Sequence, residues 1–297
     1  MPSAIPDQSE KGREIGSLWG RVWTRRRALD GVTYAVLISG AVLMMFPFLW
    51  MLSTSFKDMG EVRAWPPTWL PRQWDLTNYR DIWEQYPMAR FLWNGFVIAG
   101  LSTVGTLLSC SLAGFALAQL NFPGRSFLFL VVLSTILLPY QVRMVPIFVE
   151  MSKLGWIDTF KPLIVPSFFG SAYGIFMMRQ FFLGIPRELK EAAILDGATP
   201  FGVFWKIFLP LSKPGLTALG IVSFVTAWND LLAPMIFITT FEKMPIALAL
   251  SFFKGQGEAL WPWLMAASVI SMLPLMVVYL AAQRWFIEGM TFTGLKQ

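Results

Sequence analysis

Long apolar runs separated by short polar stretches set the rhythm of this chain. After a polar opening, the runs fall at roughly 32–55, within 91–120, and at 126–149, 162–183, 214–240 and 259–283. Each approaches or exceeds the ~20 residues a helix needs to cross a hydrocarbon layer. Outside a closed barrel, only a helix pairs all its backbone groups in lipid. The pattern therefore predicts an all-α integral membrane fold with six transmembrane helices. The third run is interrupted by Pro139 and Arg143, the fifth holds Asp230 and Pro234, and the sixth holds Pro274. In the second run Gly95, Gly100, Gly105, Ser109 and Gly114 are small enough to let another helix approach closely.

Composition strengthens that reading. Of the 297 residues, 55% are hydrophobic and only 14% charged, against about 25% charged in soluble domains. There is no His, so the commonest general base and metal ligand is missing. The single Cys, Cys110, sits inside an apolar run and reads as a small buried hydrophobe.

Charge then orients the chain. Arg25, Arg26 and Arg27 abut the first run, and basic side chains favour the cytoplasmic side. Both termini are therefore expected in the cytoplasm. Residues 1–30 read as a loosely ordered cytoplasmic tail, 31–290 as the membrane domain with a cytoplasmic loop at 184–213, and 291–297 as a second tail. No small-residue cleavage site follows the basic cluster, so the first helix is read as retained. The net charge of +6 reports topology rather than nucleic-acid binding. On the outside, loop 56–90 holds Trp65, Trp69, Trp74 and Tyr79, which suit a membrane interface. A shorter outer loop, 241–258, ends in Lys254-Gly-Gln-Gly-Glu258.

Ionisable groups at membrane depth normally face a cavity or a partner. Gln141, Arg143, Trp228, Asn229 and Asp230 are the candidates for a solute path, with Pro139 and Pro234 breaking helices as transporters do around a central cavity. The alternatives are that Asp230 and Arg143 lie near the outer interface, or pair with each other or with a neighbouring subunit. A membrane-embedded enzyme using Asp230 and a non-transporting scaffold are the rival functions. Gly170-Ser171-Ala172-Tyr173-Gly174 has only the outline of a nucleophile elbow. No G-x-x-x-x-G-K-[ST] occurs, so ATP is not bound here through a phosphate loop.

Residues 184–213 form the longest non-spanning piece of the second half. Pro186 suits a helix start, the segment from Arg187 to Leu195 is rich in helix formers, and Gly197 suits a left-handed cap. Thr199-Pro200 then opens a second short helix as N-cap and first residue, with Phe201, Phe204, Trp205 and Phe208 on one face and Pro210 closing it. These residues fit either an interfacial anchor or a docking handle.

Glu191-Ala192-Ala193, Gly197 and Ile207-Phe208-Leu209-Pro210 match E-A-A-x3-G-x9-I-x-L-P, with Asp196 and Ala198 agreeing with a fuller form. This resembles the loop signature of membrane subunits of bacterial ATP-binding-cassette importers. Phe122-Pro-Gly-Arg125, Pro139-Tyr-Gln-Val142, Arg179-Gln-Phe-Phe182, Trp228-Asn-Asp230 and Gln283-Arg-Trp-Phe286 resemble the carbohydrate-uptake branch, in particular its smaller maltose-importer permease. The resemblance implies a type I importer domain in the bacterial inner membrane. It implies pairing with a second, homologous permease, two ATP-binding subunits and an extracytoplasmic solute-binding protein. The solute would be an oligosaccharide, a monosaccharide or glycerol 3-phosphate. ATP and Mg would sit on the partner ATPase, with no cofactor on this chain, and lipid would surround it. Glu191, Ala192, Ala193, Asp196, Gly197, Ala198, Ile207 and Pro210 would form the ATPase-coupling loop. The tail Met290–Gln297 would correspond to one that reaches the ATPase, although it ends in Gly-Leu-Lys-Gln.

Overall fold

The computed structural model describes the backbone of residues 8–254 and 260–294, and side chains over 30–254 and 260–283. The polar end of loop 241–258 and residues 295–297 lie outside them. Contacts divide the chain into two units, Met1–Ser53 and Thr54–Gln297.

The first unit is carried by α1, Gln8–Ser55. The basic segment read as a loosely ordered tail is therefore helical from Gln8 and continuous with the first apolar run. Lys11, Arg13 and the triple Arg are adequate helix formers, and no Pro lies between Gln8 and the run. From Val32 to Leu49 apolar side chains are exposed around the helix, which suits lipid rather than water.

The second unit opens with α2 (Met59–Arg63) and α3 (Thr77–Gln85). The buried Lys57 donates to Thr68 O at 2.5 Å, and Asn78 Nδ2 donates to the carbonyls of Ser55 and Lys57. Burial pushes the Lys57 ammonium below its ordinary value. Trp65, Trp69 and Trp74 remain exposed, as interface residues should.

The axis of this unit is α4, Met88–Gln119. Then come α5 (Arg125–Ser134), α6 (Tyr140–Lys153), α7 (Lys161–Ile164), α8 (Ala172–Leu183) and α9 (Arg187–Leu195). A short α10 (Pro200–Val203), a π turn at Phe204–Phe208 and α11 (Leu209–Leu211) make the second loop helix. Last come α12 (Lys213–Trp228), α13 (Leu232–Phe237), α14 (Ile246–Phe252) and α15 (Trp261–Gly294). Among the described residues there is no strand.

Three helices are individually long and apolar enough to span: Asp30–Ser55, Met88–Gln119 and Trp261–Gln283. The other predicted spans are broken. Arg125–Leu137 and Tyr140–Lys153 meet at 100°, because Pro139 withholds a backbone donor and disfavours helix at Leu138. The fourth run bends through a 3-10 turn at Val165–Phe169 to Gly170, which has φ 88°. The fifth stops at Trp228 and restarts at Leu232. Asp230 thus sits in a break, not mid-helix as the sequence suggested.

Two apolar cores lie along α4. One gathers Met88, Phe91, Ala99, Phe224, Trp228 and Ile246. The other gathers Cys110, Phe115, Met178, Phe182, Phe204 and Phe208. Connections sort between its ends. At the Asn94 end, Asn94 Nδ2 donates to Glu242 O and Met244 O, and Tyr86 packs on Phe253 and Trp263. At the Gln119 end sit Arg125, Phe182 and Lys190. Asn94 and Gln119 therefore mark the two ends of the unit between which its other helices pack on α4.

Gly105 and Gly114 provide the close approach expected of the second run. A Cβ on Gly105 would meet Phe168 at 2.6 Å, and one on Gly114 would meet Met178 Cβ at 2.8 Å and Arg179 N at 3.0 Å. Gly100 does not, because nothing lies within 4 Å of its Cβ position. Overpacking costs about 1–3 kcal/mol. Gly114→Leu should therefore lower the melting temperature of the purified protein clearly, while Gly100→Leu leaves it near that of the parent. Equal melting of the two variants would refute this packing account.

Candidate functional site

The residues predicted to form a coupling loop make one continuous, mostly exposed stretch. Pro186 is the N-cap of α9, and Glu188 lies in its first turn, where a carboxylate favours the helix dipole. The C-terminus closes as a Schellman motif: Gly197 N donates to Ile194 O at 3.0 Å and Ala198 N to Ala193 O at 2.9 Å. Gly197 makes this possible with φ 81°. Thr199 Oγ1 then accepts from Gly202 N at 3.2 Å and caps α10.

Beyond α10 the ladder widens to a π turn, in which Leu209 N donates to Phe204 O. Pro210 supplies the reason, since its ring in a regular α-helix would clash with the carbonyl four residues earlier. Helix continues to Leu211 and stops at Ser212, one residue later than Pro210 suggested. The buried side faces Phe115 and Phe182: Phe204 and Phe208 each lie 5.2 Å from Phe115, centroid to centroid. Glu191, Ala192, Asp196 and Gly197 are exposed, Ala193 is buried, and Ala198 and Ile207 are half-buried. The outer side also bares Leu195, 88% exposed, with Phe201 and Trp205. An apolar patch with a carboxylate beside it, backed by a rigid aromatic layer, is suited to receiving another protein.

Sequence reasoning missed what ties this loop to the spans. The last carbonyls of α4 are met by cations from three other segments. Lys190 Nζ donates to Gln119 O, Arg179 Nε to Leu117 O at 3.2 Å, and Arg125 to Leu120 O at 3.0 Å. Gln119 Nε2 donates in turn to Phe182 O at 3.0 Å. Basic groups at a helix C-terminus oppose its negative dipole end. Lys190 thus joins the helix of Glu191 to the central helix. Side chain-to-carbonyl bonds of this kind leave no periodic signal in a sequence.

The path candidates are brought partly together. Tyr140 lies within electrostatic reach of both Arg143 and Asp230, so the break after Pro139 and the break after Trp228 share a neighbourhood. Gln141 and Arg143 are exposed. Among the described residues no ion pair within 4 Å joins Arg143 to Asp230. Asn229 Nδ2 donates to Val225 O at 2.9 Å, and Asp230 Oδ1 accepts from Ala233 N at 3.2 Å. Asp230 therefore caps the restart of the helix, and Asn229 adds a second donor to Val225 O, which already accepts from the Asn229 backbone N–H at 3.1 Å. Trp228 is only 1% exposed and stacks on Phe224 at 5.8 Å. It packs beneath the break in this conformation instead of facing a cavity.

Ser171, the serine of the nucleophile-elbow outline, is the N-cap of α8 and accepts from Gly174 N at 3.1 Å. Cys110 is fully buried and accepts from Ser171 N at 3.3 Å. A separate cleft of about 820 Å³, lined by residues including Asp58, Glu61, Arg72 and Trp263, opens at the Asn94 end of α4, and neither Arg143 nor Asp230 lines it.

Residues 105–292 match the family described as "Binding-protein-dependent transport system inner membrane component". The chain is 34% identical over 273 residues to the sn-glycerol-3-phosphate transport system permease protein UgpE of Pectobacterium atrosepticum, covering 89% of this chain and 97% of that one. It is 32% identical over 263 residues to the sulfoquinovosyl glycerol transport system permease protein SmoH of Agrobacterium fabrum, covering 87% and 92%. A chain of a bacterial ABC transporter involved in the import of the acidic polysaccharide alginate shares the fold. Its TM-score is 0.74 at 21% identity, over 96% of this chain and all of that chain.

Proposed function

The chain belongs to the inner membrane components of binding-protein-dependent transport systems, and from that premise we propose that it carries a sugar-like solute by alternating access, driven through residues 184–213 by a separate ATPase. The observation that supports this most directly is the loop itself. A capped helix presents Glu191 and Leu195 outward, while Lys190 and the Phe204–Phe208 face fasten it to the α4 helix. Motion imposed on such a helix is passed to the spans, because packed elements move as bodies and not as continuous media.

In this reading α9 docks on the ATPase, with Glu191 meeting a basic group there. ATP and Mg stay on that partner, of which two copies serve the complex. A second, homologous permease completes the pathway, and an extracytoplasmic binding protein delivers the solute. Both termini and loop 184–213 face the cytoplasm, and loops 56–90 and 241–258 face outward. The rival membrane enzyme is not favoured: Asp230 serves as a backbone cap, and the serine of the elbow outline caps α8.

Gln141, Arg143 and Asn229 are the residues proposed to meet the solute, with Asp230 holding the break and Trp228 supporting it from below. Arg143 favours an anionic member of the class. It is exposed on a membrane segment and has no hydrogen-bond or ion-pair partner among the described residues. The relatives above are named for solutes bearing phosphate or sulfonate.

The test is ATP-dependent uptake by vesicles holding this chain with its partner permease, ATPase and loaded binding protein. The panel is glycerol 3-phosphate, a uronate oligosaccharide and a neutral maltodextrin. An anionic solute should accumulate, and Arg143→Gln should raise its half-saturating concentration about tenfold with less effect on the maximal rate. Uptake of the neutral sugar alone would overturn the anionic assignment. No ATP-dependent uptake of any solute by the complete complex would overturn the transport reading.

A further inference from the structure

At the Asn94 end of α4, the loop after α6 reaches across to the segment that follows α13. Asp158 sits at its tip with φ 59°, a left-handed conformation unusual for a residue with a side chain. Its backbone N–H donates to Phe237 O at 2.7 Å, closing the last carbonyl of α13. Its Oδ1 accepts from Thr239 N at 3.0 Å and Thr240 N at 2.8 Å. Its Oδ2 accepts from Thr240 Oγ1 at 2.6 Å and Lys243 Nζ at 2.7 Å. Lys243 Nζ also reaches Asp158 O at 2.8 Å. These donors, Lys243 foremost, hold the carboxyl far below the ordinary carboxylate range. From α4, the buried Asn94 grips the same segment through Glu242 O and Met244 O.

We infer that Asp158 is a positioning residue for transport. It makes α13 and the strip Thr239–Met244 one body with the start of α7, and so presents the outer loop in fixed register to the protein that delivers the solute. This rests on the transport reading. A single surface ion pair has little holding power. Here one carboxylate takes four donors, two of them backbone groups across more than eighty residues of sequence, and Asn94 braces the strip from behind. The clasp spans both ends of the problem. Phe237 closes the half-helix that Asp230 opens, and Lys243 lies where the outer loop begins. Because the bonds cap backbone groups, the latch stays shut through the cycle while gates open elsewhere.

The inference is tested in vesicles holding the whole complex, with the concentration of loaded binding protein varied. Asp158→Ala should raise the half-saturating concentration of that protein about tenfold, and Lys243→Met about threefold, with basal ATP hydrolysis unchanged. A merely structural role would instead lower the amount of assembled complex and the maximal rate together, and that outcome overturns the inference. The single native cysteine allows a second measurement. In a Cys110→Ser background, Asp158→Cys with Thr240→Cys, oxidised to a disulfide, should still transport. Loss of transport on oxidation, restored on reduction, would show that the latch must open and would also overturn the inference. Failure of the unmodified complex to take up solute would instead count against the transport reading itself.

Discussion

Replacing Gly197 by valine is expected to abolish coupled uptake, by about 100-fold, near the upper end of ordinary coupling energies, while the chain still inserts and assembles. Space is not the reason, since nothing lies within 4 Å of the position a Cβ would take. The reason is the backbone. A φ of 81° costs an L-residue about 1–2 kcal/mol, and more when the side chain is β-branched. Valine would relieve that strain by opening the Schellman cap, releasing Ile194 O and Ala193 O and swinging Leu195 away from its present aim.

Gly197→Asn is the informative companion, because asparagine tolerates the left-handed region and should keep uptake within about threefold. Glu191→Lys should fail as severely as valine for a different reason. Glu191 is exposed and has no fold-holding bond among the described residues, so reversing its charge removes only what it offers a partner. Uptake by labelled solute flux, normalised to the amount of chain in the membrane, separates these cases. Valine and asparagine giving the same rate would dismiss the backbone account. Normal uptake by Glu191→Lys would dismiss the coupling role.

What the sequence made legible follows from local chemistry. Pro186, Gly197 and Thr199 announce a start, a stop and a restart within a few residues, and each does so in the structure. Pro139 likewise declared its break. Pro210 reads from the sequence only as a stop. The π turn before it is the way a packed helix accommodates a ring without unwinding, and packing on Phe115 decides that outcome.

The misses are non-local. Gly100 looks like Gly105, and only the neighbour that approaches distinguishes them. Lys190, Gln119 and Arg179 meet carbonyls far along the chain, and a carbonyl has no letter in the sequence. Asp158 looks like any loop acid until the strip after α13 arrives beside it. Trp228 fits a solute path or plain packing equally well from its letters, and helix phase places it in the core.

Asp230→Leu is expected to cut uptake by about 30-fold and Asp230→Asn by no more than about threefold, because the acceptor oxygen matters here more than the charge. The fifth span breaks between Trp228 and Leu232, so a carbonyl end and an N–H end are left without helical partners. At the carbonyl end Asn229 only adds a side-chain donor to Val225 O, which its own backbone N–H already holds, while Asp230 answers at the N–H end by accepting from Ala233 N. Asparagine retains that oxygen. Leucine removes it, at a cost of about 1 kcal/mol for a lost cap, and more where water does not reach the stranded group.

The loss would spread further than its energy suggests. Released at its start, α13 would pivot about its other end, where Asp158 N holds Phe237 O, and the break would shift relative to Tyr140, which lies within electrostatic reach of Asp230. Uptake of an anionic solute at saturating binding protein is the measurement. A carboxylate acting through its charge, as a counter-ion to Arg143 or a proton carrier, would make asparagine as damaging as leucine. That result would move Asp230 from holding the break to lining the path.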